Sequence, residues 1–338
     1  MTGRMTRRGA LAFGAVAGLG LGATSLAGTA AAATPKKTFA PLPLDARPRP
    51  VPAEGYLLDR IGSSMYAVTA NGNQTSFVVT RTGVVLIDAP PSLAAQLPAA
   101  VKRVTSKPVT HIIYTHSHAD HIANAFAYGN VVRIAHEDTA ATLKANRDPN
   151  RPLPTITFRD TRTLHVGGER FELSYPGANH EAGNIIIHIP GQRAAVMCDV
   201  VLPGWSPFKA WGTADSVPGV LRAHDILARL DIDTFVGGHV HRLGTPADIR
   251  ASRDFTYDLW HTTARVVART KLADYTSQVE PGNSWAGFQL YYDAIADAVE
   301  PEVIARWADK LGGVDVFTRD NAITIAVSLL LDAPKDLS

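Results

Sequence analysis

Seven consecutive residues constrain this chain more than any others: Thr115-His116-Ser117-His118-Ala119-Asp120-His121. They follow directly on an apolar run, Val109 to Thr115, that reads as a strand. Four metal-capable side chains therefore fall within six residues at the end of a buried element. His116 and His118 are two apart, and an extended backbone points them the same way. Asp120 and His121 come where the chain turns into a helix, which aims them at a second point nearby. This density of imidazole and carboxylate suits zinc or another borderline divalent metal. A solvated histidine-rich loop is the plain alternative, but such loops seldom begin at the end of a buried strand.

Around this cluster the chain alternates between β and helical patterns. Met65–Thr69, Ser76–Thr80 and Val84–Asp88 are β-rich and separated by Asn-Gly or Thr-Gly turns. Helical spacing covers Leu93–Val104, Glu137–Asn146 and the start of a helix at Ile122–Tyr128, with a strand at Val131–Ala135 between them. A second β-rich block spans residues 155–201, with strands at Phe171–Tyr175, Asn184–Ile189 and Ala194–Val200. Helical spacing returns at Val217–Leu230, a strand follows at Thr234–Gly237, and the chain beyond Pro246 is mostly helical. Two β-rich halves, each with its own helices, predict an α/β protein of two sheets packed face to face and covered outside. The divisions are a proline-rich lead-in over residues 34–54, a catalytic domain over 55–250 and a helical C-terminal extension over 251–338.

His116-x-His118-x-Asp120-His121 at a strand end resembles the signature of the metallo-β-lactamase superfamily, and its other ligands have counterparts in order. Asn179-His180-Glu181-Ala182-Gly183-Asn184 supplies a histidine just before a Gly-Asn pair, Cys198-Asp199 a carboxylate after the next strand, and Gly237-Gly238-His239 a histidine after a short strand. Asp88 sits where the family keeps a structural aspartate. The resemblance covers roughly residues 56–245 and implies an αβ/βα sandwich of four layers. It also implies two zinc ions per chain: one held by His116, His118 and His180, the other by Asp120, His121 and His239, with Asp199 bridging. Two alternatives accompany this set. His241 competes with His239, and Cys198 with Asp199; strand neighbours face opposite ways, so one of the latter pair faces the metals, and Asp199 is the expected one.

With that ligand set, a water shared by two zinc ions becomes the nucleophile, and Asp120 orients it and passes a proton to the leaving group. The expected activity is hydrolysis of a small-molecule ester, lactone or amide such as a β-lactam. The rivals are a sulfate or phosphate ester hydrolase on the same site, and a non-hydrolytic di-iron or zinc-binding protein of the same fold. Leu202 stands three residues after Asp199, where one β-lactamase branch carries a lysine that grips the substrate carboxylate; lactonases of the superfamily share the histidine and bridging-aspartate set. In the loop after the bridge, Trp205, Phe208 and Trp211 are expected to form an apolar substrate wall, and Lys209 to hold an anionic group.

Composition sets the compartment. Gly9 to Pro35 carries no charge, follows Arg4, Arg7 and Arg8 and ends in small residues, so residues 1–33 read as a cleavable signal peptide. Thr6-Arg7-Arg8-Gly9-Ala10-Leu11 resembles the twin-arginine export signal, with Ala10 in place of the usual bulky residue. The expected location is periplasmic or extracellular, with no membrane anchor after cleavage. Of the 33 basic residues three lie in this leader, which leaves 30 against 31 acids. A net charge of −1 offers no attraction to nucleic acid. The single cysteine, Cys198, excludes an intramolecular disulfide and a multi-cysteine zinc site.

Overall fold

Residues 38–331 are described by the computed structural model; the expected leader, residues 1–33, lies outside the described residues. The first sheet starts from a meander. Strands β1 (Leu57–Ile61), β2 (Met65–Ala70), β3 (Asn73–Val79) and β4 (Val84–Ile87) pair antiparallel in sequence order. Between β2 and β3 the two-residue loop Asn71-Gly72 has φ of 54° and 79°. That is the twist a tight hairpin needs, and asparagine and glycine tolerate it best. Strands β5 (Val109–Ile113), β6 (Val132–His136) and β7 (Ile156–Phe158) extend the same sheet in parallel. Parallel pairing requires crossovers, which the helices Gln96–Val104 and Glu137–Asn146 provide.

The second sheet has the order β12-β11-β10-β9-β8. Its strands are β8 (Thr161–Val166), β9 (Glu169–Ser174), β10 (Ile186–Ile189), β11 (Ala194–Val196) and β12 (Thr234–Val236). All pairs are antiparallel except β11 with β12. The β-rich block expected over residues 155–201 therefore divides between the sheets, because Ile156–Phe158 pairs with Ile134–His136.

The layers follow from which face each side chain takes. Met65, Val78, Ile87 and Ile113 of the first sheet meet Phe171, Ile187 and Val196 of the second in an inner core. Phe77, Leu86 and Ile112 point the other way and pack with Leu97 of the helix Gln96–Val104. On the second sheet Ile186, Ala195 and Phe235 also face outward, into a core with the helices Val217–Leu227, Pro246–Arg269, Ser284–Trp307 and Val314–Leu331. Strands buried on both faces read as continuous apolar runs. The result is the expected αβ/βα sandwich. The helix Pro246–Arg269 runs unbroken through residue 250, and the C-terminal helices share the second sheet's outer core.

Beside that core lies a buried histidine. His224 is fully enclosed; its Nδ1 donates to the Val220 carbonyl at 2.9 Å and its Nε2 accepts from Ser252 Oγ at 2.9 Å. A carbonyl only accepts, so the proton sits on Nδ1 and the ring is neutral. Burial pushes its pKa down to about 4. Below its ordinary value of 6.5 the unfolded chain binds a proton that the folded one refuses, so stability rises with pH across that window. Acidifying from about pH 7 to about pH 4 is expected to cost on the order of 3 kcal/mol at this site. Urea midpoints at both pH values should show a smaller acid loss in His224→Gln; an equal loss in both proteins would refute this.

Candidate metal centre

Asp88, at the end of β4, fastens the cluster to the sheet. Its backbone has φ of 64°, its N–H bonds the Ile113 carbonyl, and its carboxylate accepts from Thr115 N at 2.8 Å and Thr115 Oγ1 at 2.6 Å. The chain leaving β5 thus enters the histidine cluster in a defined direction. His118 immediately precedes the short helix Ala119–Ile122, which delivers Asp120 and His121. A second anchor sets His180. Buried Asn179 Oδ1 accepts from His180 N at 2.7 Å and from Asn184 Nδ2 at 2.9 Å, and Asn184 Nδ2 also reaches the Cys198 carbonyl at 2.9 Å. The His180 loop and the Cys198-Asp199 turn are therefore tied together.

Asp199 stands at the centre. Its Oδ2 lies 3.2 Å from His116 Nε2, 3.1 Å from His121 Nε2 and 3.2 Å from His180 Nε2, while its Oδ1 lies 3.1 Å from His239 Nε2. His118 turns its Nδ1 towards His180 Nε2 at 3.1 Å, and His121 and His239 face each other through Nε2 at 3.1 Å. His116, His118, His180 and Asp199 offer ligand atoms within 4.8 Å of one another, and Asp120, His121 and His239 form a second such group. The outer nitrogens have partners of their own: Thr115 Oγ1 at 3.0 Å for His116, the Gly72 carbonyl at 3.4 Å for His239, and the Trp211 carbonyl at 3.5 Å for His180. Such outer contacts orient a ligating imidazole and select its tautomer.

Burial and Asp199 divide the imidazoles into two kinds. Burial pushes His116 down to about 3, assisted by His121. Burial also lowers His180. It works in the same direction on His121 and His239, but Asp199 outweighs it at the first and Asp120 with Asp199 at the second, which rises to about 9. Asp199 is held well below the carboxylate range: burial opposes this, and His121 with its neighbours wins. His116 Nε2 and His121 Nδ1 are buried without a hydrogen-bond partner. Imidazole nitrogens converging on one ionised carboxylate, with His116 Nε2 unpaired among them, form a nitrogen and oxygen donor set suited to divalent metal ions.

The turn at Cys198-Asp199 departs from the expected strand. Strand β11 ends at Val196 rather than Val200, and Asp199 adopts φ of 67° in a turn. This turn, not strand alternation, separates the two side chains. Cys198 packs in the inner core near Asp88 and His121, and burial pushes its thiol up to about 12. Gly238 closes the same spot: its φ is 86°, and a Cβ there would lie 2.7 Å from Cys198 Sγ and 2.9 Å from His121 Cε1.

A cavity of about 650 Å³ opens over the cluster, lined in part by His118, Asp120, His180, Asp199 and His239. Trp205 and Phe208 line it as well. Trp211 does not. It is buried in the outer core, its N–H bonded to Asn321 Oδ1 at 3.0 Å and its Nε1 to the Asn321 carbonyl at 3.3 Å. Lys209 also lies outside the lining, its ammonium 3.9 Å from Asp320 Oδ1. His241 lines the cavity, whereas His239 reaches Asp199. Sequence reasoning missed Gly72, visible only as a hairpin turn, and Phe317, which comes from the helix Val314–Leu331 and carries no local signal of its role.

Residues 69–239 match the profile of the metallo-beta-lactamase superfamily, a span that contains all seven ligand candidates. The chain belongs to this superfamily. Among its relatives, 2,4-dinitroanisole O-demethylase subunit alpha of Nocardioides sp. (strain JS1661) is 33% identical over 211 residues, which is 59% of this chain and 61% of that protein. Metallo-beta-lactamase type 2 of Elizabethkingia meningoseptica is 26% identical over 149 residues, 41% of this chain and 59% of the other. The chain thus spans about three-fifths of the length of these relatives. The crystal structure of metallo-beta-lactamase IND-7 shares the fold, with a TM-score of 0.51 at 19% identity over 60% of this chain and 98% of that one.

Proposed function

We propose that this superfamily member is a two-metal hydrolase of a small ester, lactone or amide. The observation that carries the reading is Asp199, whose Oδ2 faces His116 and His180 of one group and His121 of the other while its Oδ1 faces His239. A carboxylate so disposed suits a bridge between the group of His116, His118 and His180 and the group of Asp120, His121 and His239. Two zinc ions held there would acidify water and polarise a substrate oxygen.

The chain's own groups supply the rest. Asp120 is more than half exposed, lines the cavity and is held below the ordinary carboxylate range, first by its hydrogen bond with His239. It is ionised at neutral pH and accepts a proton at Oδ from the attacking water. The water oxygen bonds to the carbonyl carbon, the carbon–oxygen or carbon–nitrogen bond breaks, and the departing group takes the proton from Asp120. Thr115 and the carbonyls of Gly72 and Trp211 keep the imidazoles in fixed orientations throughout. One relative is named as an O-demethylase and another as a beta-lactamase, which supports shared machinery with the substrate chosen by the cavity walls.

Elemental analysis of the purified protein is expected to give about two equivalents of metal per chain. Chelation should abolish turnover of phenyl acetate, and added zinc should restore it. Less than about one equivalent, or hydrolysis indifferent to chelation, would sink the proposal.

A further inference from the structure

Beyond the ligand groups, the cavity wall is mostly apolar and aromatic, with Leu202, Trp205, Phe208, Val240 and Phe317; Ser206, Thr213 and His241 are its polar members. Among the described residues no lysine or arginine lines the cavity. The two basic side chains nearest in sequence are engaged elsewhere. Lys209 is turned to Asp320, and Arg242 is gripped by both oxygens of Asp248 at 2.6 and 3.0 Å and by the Asp45 carbonyl at 2.8 Å. Asp120 adds a negative charge to the lining. Phe208 and Phe317 meet edge to face with ring centroids 4.9 Å apart, yet Phe208 remains 59% exposed. A large aromatic side chain left open beside a cavity is surface that a bound ligand can cover.

We infer that the substrate is neutral and carries an aromatic ring, which seats against the Phe208–Phe317 pair while its scissile group lies at the histidines; this rests on the hydrolase reading above. An anionic substituent on that ring, held against the apolar wall away from the histidines, would lose its hydration and meet no lysine or arginine to replace it. A flat ring exchanges water for aromatic contact at no such cost. The inference moves the substrate away from aromatic rings that carry a carboxylate. It also gives the C-terminal helix Val314–Leu331 a role in specificity, through Phe317.

Binding to the metal-loaded full chain of three amides, acetanilide, acetamide and 4-acetamidobenzoate, tests this, read as Kd where the amide stays intact and as KM where it is cleaved. Acetanilide is expected to bind roughly tenfold tighter than either of the others. Phe208→Ala and Phe317→Ala should each weaken acetanilide several-fold and raise KM for phenyl acetate more than for methyl acetate. Phe208 is exposed, so its variant keeps the test free of folding effects. Equal binding of acetanilide and acetamide, or tighter binding of 4-acetamidobenzoate, overturns the inference. The two readings separate cleanly. Selective acetanilide binding by a protein that hydrolyses no ester, lactone or amide supports the wall and refutes the hydrolase; ester hydrolysis that favours carboxylated rings does the reverse.

Discussion

Asp199→Ala is expected to bring the metal content from about two equivalents to below one and to lower turnover by roughly 10³-fold. The carboxylate lies within 3.1–3.2 Å of four imidazole nitrogens and is the negative charge they share. Without it, a cation in either group loses an ionised ligand, and the histidines are left facing one another. Losing metal assistance to the transition state removes several kcal/mol, and about 1.4 kcal/mol is a factor of ten in rate. Cys198→Ala is the matching control. A thiol pushed up to about 12 by burial is neutral and acts as a small apolar group, so the variant should keep its metal and lose about 1 kcal/mol of packing. Zinc stoichiometry and phenyl acetate turnover of both proteins decide the matter. Metal loss in the cysteine variant with retention in the aspartate variant would reverse the assignment.

The second large effect lies far from the histidines in sequence. Ala210, Trp211, Gly212 and Thr213 all have φ between 50° and 65°, a left-handed turn that costs each residue with a side chain about 1–2 kcal/mol. Asn321 of the helix Val314–Leu331 holds this turn. Its Oδ1 accepts from Trp211 N at 3.0 Å and its Nδ2 donates to the Pro207 carbonyl at 3.0 Å, both bonds buried. The turn presents the Trp211 carbonyl to His180 Nδ1. Asn321→Ala takes the donor from the buried Pro207 carbonyl and one of two acceptors from Trp211 N, which keeps the Phe208 carbonyl at 3.0 Å, and should cost on the order of 2 kcal/mol in urea unfolding of the metal-free protein. Relaxation of the turn should also loosen His180 and weaken zinc binding by roughly tenfold in a chelator competition. Unchanged zinc affinity would show that the turn serves stability alone.

Much of the sandwich was legible because its strands are short apolar runs with explicit turns between them. The helix Glu137–Asn146 has the boundaries its spacing predicted, with His136 Nδ1 accepting from Asp138 N at its start. Boundaries failed where a tertiary contact ended an element early. Hydrophobicity alone continues β11 through Val200, but Met197 and Val200 face the outer core from beyond the strand. Ile156–Phe158 joined the other sheet for a similar reason: strand pattern reports which residues alternate, not which partner they pair with.

The identity and order of the metal-capable residues were determined by the sequence itself. His116, His118, Asp120 and His121 lie on six residues of one chain segment, and local geometry alone confines them to a small volume. Asp88, His180, Asp199 and His239 each accompany a recognisable strand signal. The tertiary structure alone decided that Asp199 reaches four of the histidines while Cys198 lies beside His121 and Asp88, that His239 rather than His241 reaches Asp199, and that Trp211 is core while Phe317 is cavity wall. Those outcomes depend on a positive-φ turn at Asp199 and on a helix whose Asn321 lies 110 residues beyond Trp211. A side chain's surroundings are set by what packs over it, and local pattern carries no record of that.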